Sequence, residues 1–464
     1  VTRTPGPSRR VRRQQERKRM ITVPPDGDPA TWARRLQLTR AAQWFAGNHG
    51  DPYALILRAE TDDPTPYEQR VAAQPLFRSE QLDTWVTGDA ALAREVLTDD
   101  RFGWLTRAGQ RPAERTLPLA GTALDHGPEA RRRLDALAGF GGPVLRADAA
   151  GARTRVVETT AVLLDGIGER FDLAVLARRL VAAVLADLLG VPAARRGRFA
   201  EALAAAGRTL DSRLCPQTVA TALATVAATA ELTDLLGEVP PPPSLSPSAA
   251  GSGPPRPSAA GSWPPLPADD RTAAALALAV GTAEPAITLL CNAVGALLDR
   301  PGQWALLGGD LDRSAAVVEE TLRCLPPVRL ESRVAQQDVT LGGQFLPADS
   351  HLVVLVAMAN RGPRAATAPS PDAFDPGGSR VPARDVVGLP QLAGAGPLIR
   401  LVVTTALRTL AEALPTLRRA SGGVRWRRSP VLLGHARFPV ARAESGEQRS
   451  DDRPALEEAI RCAS

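Results

Sequence analysis

Residues 271–299 read as one long helix that is apolar on nearly every face. A helix of that kind has to be buried, so the rest of the chain must supply enough elements to surround it. Pro285 sits inside the pattern. Its missing N–H frees a backbone carbonyl, and the helix is expected to kink there. Glu284 divides the run into apolar stretches, each shorter than the roughly 18–20 residues needed to cross a bilayer. The helix is therefore expected to form the centre of a globular domain rather than a membrane span. The composition agrees: 44% of the 464 residues are hydrophobic and 23% are charged, ordinary for a soluble globular protein.

Helical periodicity dominates around that centre. Residues 151–165, 172–189, 217–237, 313–324 and 397–414 carry apolar residues at 3.6 spacing, and Gly190–Val191–Pro192 is a good helix stop. Between 333 and 357 the period changes. Leu341–Gly342–Gly343 reads as a hairpin-like turn, and residues 352–361 (LVVLVAMANR) as a strand. The fold class is mainly α with a small β region towards the C-terminus.

The pI near 9.8 and net charge of +6 resemble a nucleic-acid signal until they are placed along the chain. Residues 1–20 hold eight basic residues and one acid, Glu16, and the remainder holds 48 basic against 49 acidic residues. The body is thus neutral and has no reader motif, so no nucleic-acid partner is expected. Residues 1–30 are expected to be a basic N-terminal extension, 31–440 a single domain, and 441–464 a charged C-terminal tail. A Pro/Ser/Gly-rich linker at 239–268 interrupts the domain. It contains a tandem decapeptide, PSAAGSGPPR then PSAAGSWPPL, of a kind that resists ordering. With no signal-peptide h-region and four scattered cysteines, the expected location is cytoplasmic and no membrane partner is expected. Lys18 is the only lysine against 55 arginines, a bias of GC-rich codons.

The run VVEETLRCLPPV (317–328) contains Glu320 and Arg323 at i,i+3, a spacing that lets them pair on one helix face. Ser332–Arg333–Val334–Ala335, Gly342–Gly343, the run 352–361 and PDAFDP (371–376) follow in order. That ordered set resembles the C-terminal half of bacterial cytochrome P-450 monooxygenases. FDLAVLARRLVAAVLADLLGVPAARRGRF (171–199) and GDAALAREVLTDDRFG (88–103) are similar to earlier parts of the same family. The resemblance covers about 40–440 apart from the linker, and implies a cytochrome P-450-like fold.

The chain departs from the family where its chemistry resides. The family ligates haem iron through a cysteine thiolate in a Gly-rich loop before the penultimate long helix. That region here reads GLPQLAGAGPLIR (388–400), and no cysteine lies between Cys324 and Cys462. The family's oxygen-activating acid–alcohol pair falls on Ala283 and Glu284, or on Glu284 and Pro285 after a one-residue slip, so no such pair remains. The propionate-binding His and Arg fall on Ala130 and Leu134, while Arg333 matches a later propionate-binding arginine. Glu320 and Arg323 belong to the family's folding core rather than to its oxygen chemistry.

Haem-less members of this kind, encoded beside glycosyltransferases in antibiotic pathways, are the group the chain resembles, and LDSRLCPQT (210–218) is similar to a segment of theirs. The resemblance implies a non-catalytic auxiliary protein with no cofactor, no metal and no catalytic residue. Its partner is then a glycosyltransferase that moves TDP-deoxysugars onto macrolide or anthracycline-type polyketides. Members of the group form complexes with the transferase, often two copies of each, and the aglycone is a further candidate contact. Two other readings stay open: a monooxygenase-like enzyme with a non-cysteine haem ligand, and a module that holds the aglycone. His49, His126, His351 and His435 show no metal-ligand spacing.

Overall fold

Asp89, Asp172, Thr218 and Asp310 each precede a run of helix formers, and each side chain accepts a backbone N–H from the first turn that follows. Such caps satisfy donors that a helix start leaves unpaired. The computed structural model describes residues 29–58, 64–103, 149–238, 268–300, 302–308, 310–361, 374–376 and 395–442. In chain order the helices are α1 (Pro29–Asn48), α2 (Pro52–Arg58), α3 (Thr65–Ala72), α4 (Ala90–Thr98), α5 (149–164), α6 (Leu173–Leu188), α7 (Arg196–Ala205) and α8 (Val219–Gly237). They continue with α9 (Ala268–Leu298), α10 (Leu311–Cys324), α11 (Val356–Arg361) and α12 (Ala395–Ala413).

The long apolar helix is α9, and α6, α8, α10 and α12 pack around it. Ala274 to Val280, Leu289 to Cys291 and Ala293 to Leu297, with Gly295 among them, are all buried. Arg271–Leu298 is long and apolar enough to cross a membrane, since one interior acid does not disqualify it, but the protein itself encloses it. The chain stays helical through Pro285, which lies inside α9. Val219–Gly237 also has membrane-compatible length and composition.

The strands are β1 (Phe77–Ser79), β2 (Thr84–Thr87), β3 (Phe102–Gly103), β4 (Arg170–Asp172), β5 (Leu330–Ala335), β6 (Val339–Leu341), β7 (Gln344–Leu346), β8 (His351–Leu355), β9 (Leu417–Arg419), β10 (Arg425–Trp426), β11 (His435–Arg437) and β12 (Pro439–Arg442). The largest sheet has the order β1-β2-β8-β5-β3, with β2 and β8 parallel. A second has the order β4-β12-β9. The β structure is therefore not confined to the C-terminal part. Strands of two to four residues carry too little alternation to be read from sequence, and β1 to β4 become legible only through their partners.

Two local expectations resolve differently. The run 352–361 is not one strand: it leaves the sheet after Leu355 and continues as α11. The apolar run continues from the strand through Ala359 in the helix, and periodicity cannot separate the two. At Gly342–Gly343 the turn forms, with φ of 56° and 78° between paired Leu341 and Gln344, the left-handed pair that a two-residue hairpin needs. The first described helix begins at Pro29 and the last strand ends at Arg442. Residues 1–28, 239–267 and 443–464 lie outside the described residues.

Glu320 and Arg323 share the buried face of α10. Arg323 Nε donates to Glu320 Oε2 at 2.9 Å and Nη2 to Oε1 at 2.8 Å. Glu320 Oε1 also accepts the Asp375 N–H at 2.8 Å, and Cys324 Sγ lies 3.6 Å away. The pair fastens the 374–376 segment to α10. Alanine at Glu320 leaves Arg323 buried without its carboxylate, which costs about 3–5 kcal/mol. The expected result is a matching loss of unfolding free energy in a urea titration of Glu320→Ala.

Candidate functional site

Glu284 is the one acid within the enclosed stretch 274–298 of α9. Its side chain retains 12% exposure, and Arg427, at 15%, donates from Nη1 to Oε2 at 2.5 Å. Arg427 Nη2 donates to the Gly207 carbonyl at 2.8 Å and lies 3.7 Å from Asp211 Oδ2. Asp211 is buried, with 1% side-chain exposure. It accepts from Arg208 Nη1 at 3.0 Å and from the Ser429 hydroxyl. Ser429 Oγ in turn accepts the Leu432 N–H at 2.8 Å. The network thus joins α9, the turns at 206–215 that follow α7, and the connection between β10 and β11.

Local sequence shapes this junction. Gly207 is needed because a Cβ there would lie 2.5 Å from Glu284 Oε1. Leu210 and Leu214, from the LDSRLCPQT segment, turn inward beside Val328, Leu330 and Val431. Burial pushes the Glu284 carboxyl above the ordinary carboxylate range, and Arg427 and then Arg178 oppose that shift. Ala283 is buried next to it, Pro285 offers no N–H, and the Thr282 hydroxyl is buried with no hydrogen-bond partner among the described residues. Glu284 thus makes this stretch of α9 an ion-paired joint to the β10–β11 connection.

The remaining predicted positions fall elsewhere. Glu320 and Arg323 sit in α10, away from this network. Arg333 is on β5, where Nη1 donates to the Ser332 carbonyl at 2.8 Å and lies 3.3 Å from Glu331 Oε2. Ala130 and Leu134 lie outside the described residues, as does 377–394, which includes the first part of the GLPQLAGAGPLIR region. Sequence reasoning did not find Arg208, Asp211, Arg427 or Ser429. An acid in an apolar helix announces that a partner is required, but Arg427 lies 143 residues away.

Among the described residues the donor set does not fit a thiolate-ligated haem. Cys215, Cys291 and Cys324 are buried thiols. Burial pushes Cys291 up to about 12, and burial followed by Glu320 pushes Cys324 up to about 12, so both stay protonated when a ligand must be a thiolate. His351 Nδ1 meets Thr84 Oγ1 at 3.1 Å, and His49 Nδ1 meets the Phe45 carbonyl at 2.9 Å. His126 lies outside the described residues. His435 is buried, stacked on Phe438 (4.7 Å) and tilted against Trp426 (4.2 Å), with neither ring nitrogen hydrogen-bonded among the described residues. Among the described residues no group of three or more His, Cys, Asp or Glu is arranged to hold a metal ion.

Comparison with known proteins places this architecture. The cytochrome P450 family model matches residues 312–377. Protein TylM3 of Streptomyces fradiae is 45% identical over 422 residues, spanning 88% of this chain and 92% of its own. Protein AknT of Streptomyces galilaeus is 38% identical over 443 residues, spanning 88% and 95%. The crystal structure of ligand-free Mycobacterium smegmatis CYP164A2 matches with a TM-score of 0.67 at 27% identity, covering 84% of this chain and 99% of that one.

Two predictions follow from the geometry. Arg427→Leu leaves Glu284 buried and unpaired, with an expected loss of about 3–5 kcal/mol. Glu284→Leu with Arg427→Leu restores most of it, because removing both charges removes both desolvation costs. A double-mutant cycle on urea unfolding measures the coupling. For His435, burial, and then Arg419, lowers the folded pKa to about 3 from an ordinary 6.5. Between those values the unfolded chain binds the proton and the folded chain does not, so this residue's contribution to stability falls as pH drops below 6.5, by about 1.4 kcal/mol per unit. His435→Phe loses no hydrogen bond to a described residue. Its stability advantage over wild type is expected to grow between pH 6.5 and pH 5 in paired thermal melts.

Proposed function

The chain belongs to the cytochrome P450 family, and from that premise we propose that it works as a glycosyltransferase auxiliary protein without oxygen chemistry. In this reading it binds, stabilises and activates a partner TDP-deoxysugar glycosyltransferase in the biosynthesis of a macrolide or anthracycline-type polyketide. The observation that carries it is the joint at Glu284. Glu284 is tied to Arg427, and Pro285, which has no hydroxyl, follows it where the family's alcohol would stand after the one-residue slip, so the acid–alcohol pair of the family is not formed there. The family match at 312–377 does not weigh against this, because it covers the Glu320–Arg323 pair rather than the thiolate loop.

Activation of this kind needs no reactive residue. A protein that binds the active conformation of its partner better than other conformations shifts the population towards it. At 100 to 1,000 times Kd the shift is about 3–4 kcal/mol. The buried ion pairs support a rigid shape, which such a binder requires. Heterotetramers with two copies of each chain are the assembly we propose.

The test is co-expression with the cognate glycosyltransferase. Co-elution and a rise in transferase activity or soluble yield are expected, and separate elution with unchanged activity would sink the proposal. The chain supplied with haem is expected to show no Soret band. A band that persists through gel filtration would favour the haem-enzyme alternative, with a ligand other than the buried thiols.

A further inference from the structure

Helix α1 is apolar on two sides. Leu36 and Ala46 face inward and are buried, whereas Leu38, Trp44 and Phe45 are 63%, 58% and 57% exposed. Trp44 is held in place: the Arg58 guanidinium lies over its ring at 5.5 Å and donates to its carbonyl and to Asn48 Oδ1. Gly47 leaves room for that arginine, since a Cβ there would stand 2.7 Å from it. An aromatic anchor fixed before binding loses little freedom on binding.

Leu36 packs on Val219, Ala222 and Val226 of α8, which ties the two helices together. On α8 the exposed positions Ala220, Leu223, Ala224 and Ala227 are also apolar. That helix is less than half buried, while α9 is almost wholly so. Small residues let another helix approach closely. Two adjacent helices of about 30 Å, each about 10 Å wide, offer roughly 600 Å², close to the ~800 Å² per partner of a standard interface.

Charge selects among occupants. The polar residues beside the α1 face include exposed Arg34 and Arg40, and α1 contains no acid. A second copy on this face would bring like charges together, which disfavours self-pairing. We infer that the α1–α8 face is where the partner glycosyltransferase docks, through an apolar helical surface flanked by carboxylates. This rests on the proposed auxiliary role and adds its contact surface.

The test measures affinity of the full chain for its cognate glycosyltransferase by calorimetry. Leu38→Ser/Trp44→Ser/Phe45→Ser, with a wild-type circular dichroism spectrum, is expected to weaken binding at least about tenfold, as anchor residues do. Val162→Ser, an exposed apolar position on α5, is expected to leave it unchanged. Arg34→Glu/Arg40→Glu, which alters only exposed side chains and guards against misfolding of the triple variant, is expected to weaken binding at low salt and less so at high salt. If wild type binds and these variants bind equally well, the docking surface is wrong while the auxiliary role stands. If wild type does not bind at all, the auxiliary role itself fails. Sedimentation of wild type, but not the triple variant, with 3:1 phosphatidylcholine–phosphatidylserine vesicles would overturn the proposal in favour of a lipid surface.

Discussion

The burial of α9 is the constraint from which the rest of the structure follows. A helix of 31 residues with scarcely any polar face gains nothing from water, so α6, α8, α10 and α12 enclose it. Each fully buried leucine or valine contributes about 1.5–3 kcal/mol relative to exposure. Several of the few polar groups on α9 are then satisfied by chain brought from far away. Asn292 Nδ2 donates to the Leu325 and Leu433 carbonyls at 3.1 and 3.3 Å. Asp299, just past its end, takes a bidentate contact from Arg419 at 2.6 and 2.9 Å.

Glu284 is the extreme case of that requirement. Its charge is tolerated in a buried helix because Arg427 arrives from the C-terminal region, and Arg427 is in turn oriented by the Gly207 carbonyl and by Asp211. Breaking such a cluster is costly, though forming it contributes little net stability, since desolvation offsets the attraction. Its consequence is therefore specificity of arrangement more than strength. It fastens the 206–215 turns and the β10–β11 connection against the centre of the domain. Burial likewise keeps the Cys291 and Cys324 thiols protonated.

Much of this was legible in order along the chain. α6, α8, α10 and α12 each carry enough residues for 3.6 periodicity to emerge, α9 is marked by its long apolar run, and Gly342–Gly343 has the chemistry of its turn. The Glu320–Arg323 pair lies within one helix turn, so spacing alone places the two side chains together. The misread elements were short or ambiguous. Leu352–Ala359 is apolar throughout, and its change from strand to helix depends on where β5 stops pairing with it. α1 looks unremarkable by periodicity because apolar residues occupy both of its sides.

The sequence by itself determined that a nearly all-apolar helix must be enclosed, that the surrounding domain is mainly helical, and that no cysteine lies between Cys324 and Cys462. These properties are local, carried by periodicity, composition and identity at a position. Only the tertiary structure decided what neutralises Glu284, why Gly207 has no side chain, and which face of α1 stays in water. Each of those depends on residues distant in the chain meeting in space, and buried charge and close packing act on distance in space rather than on distance along the sequence.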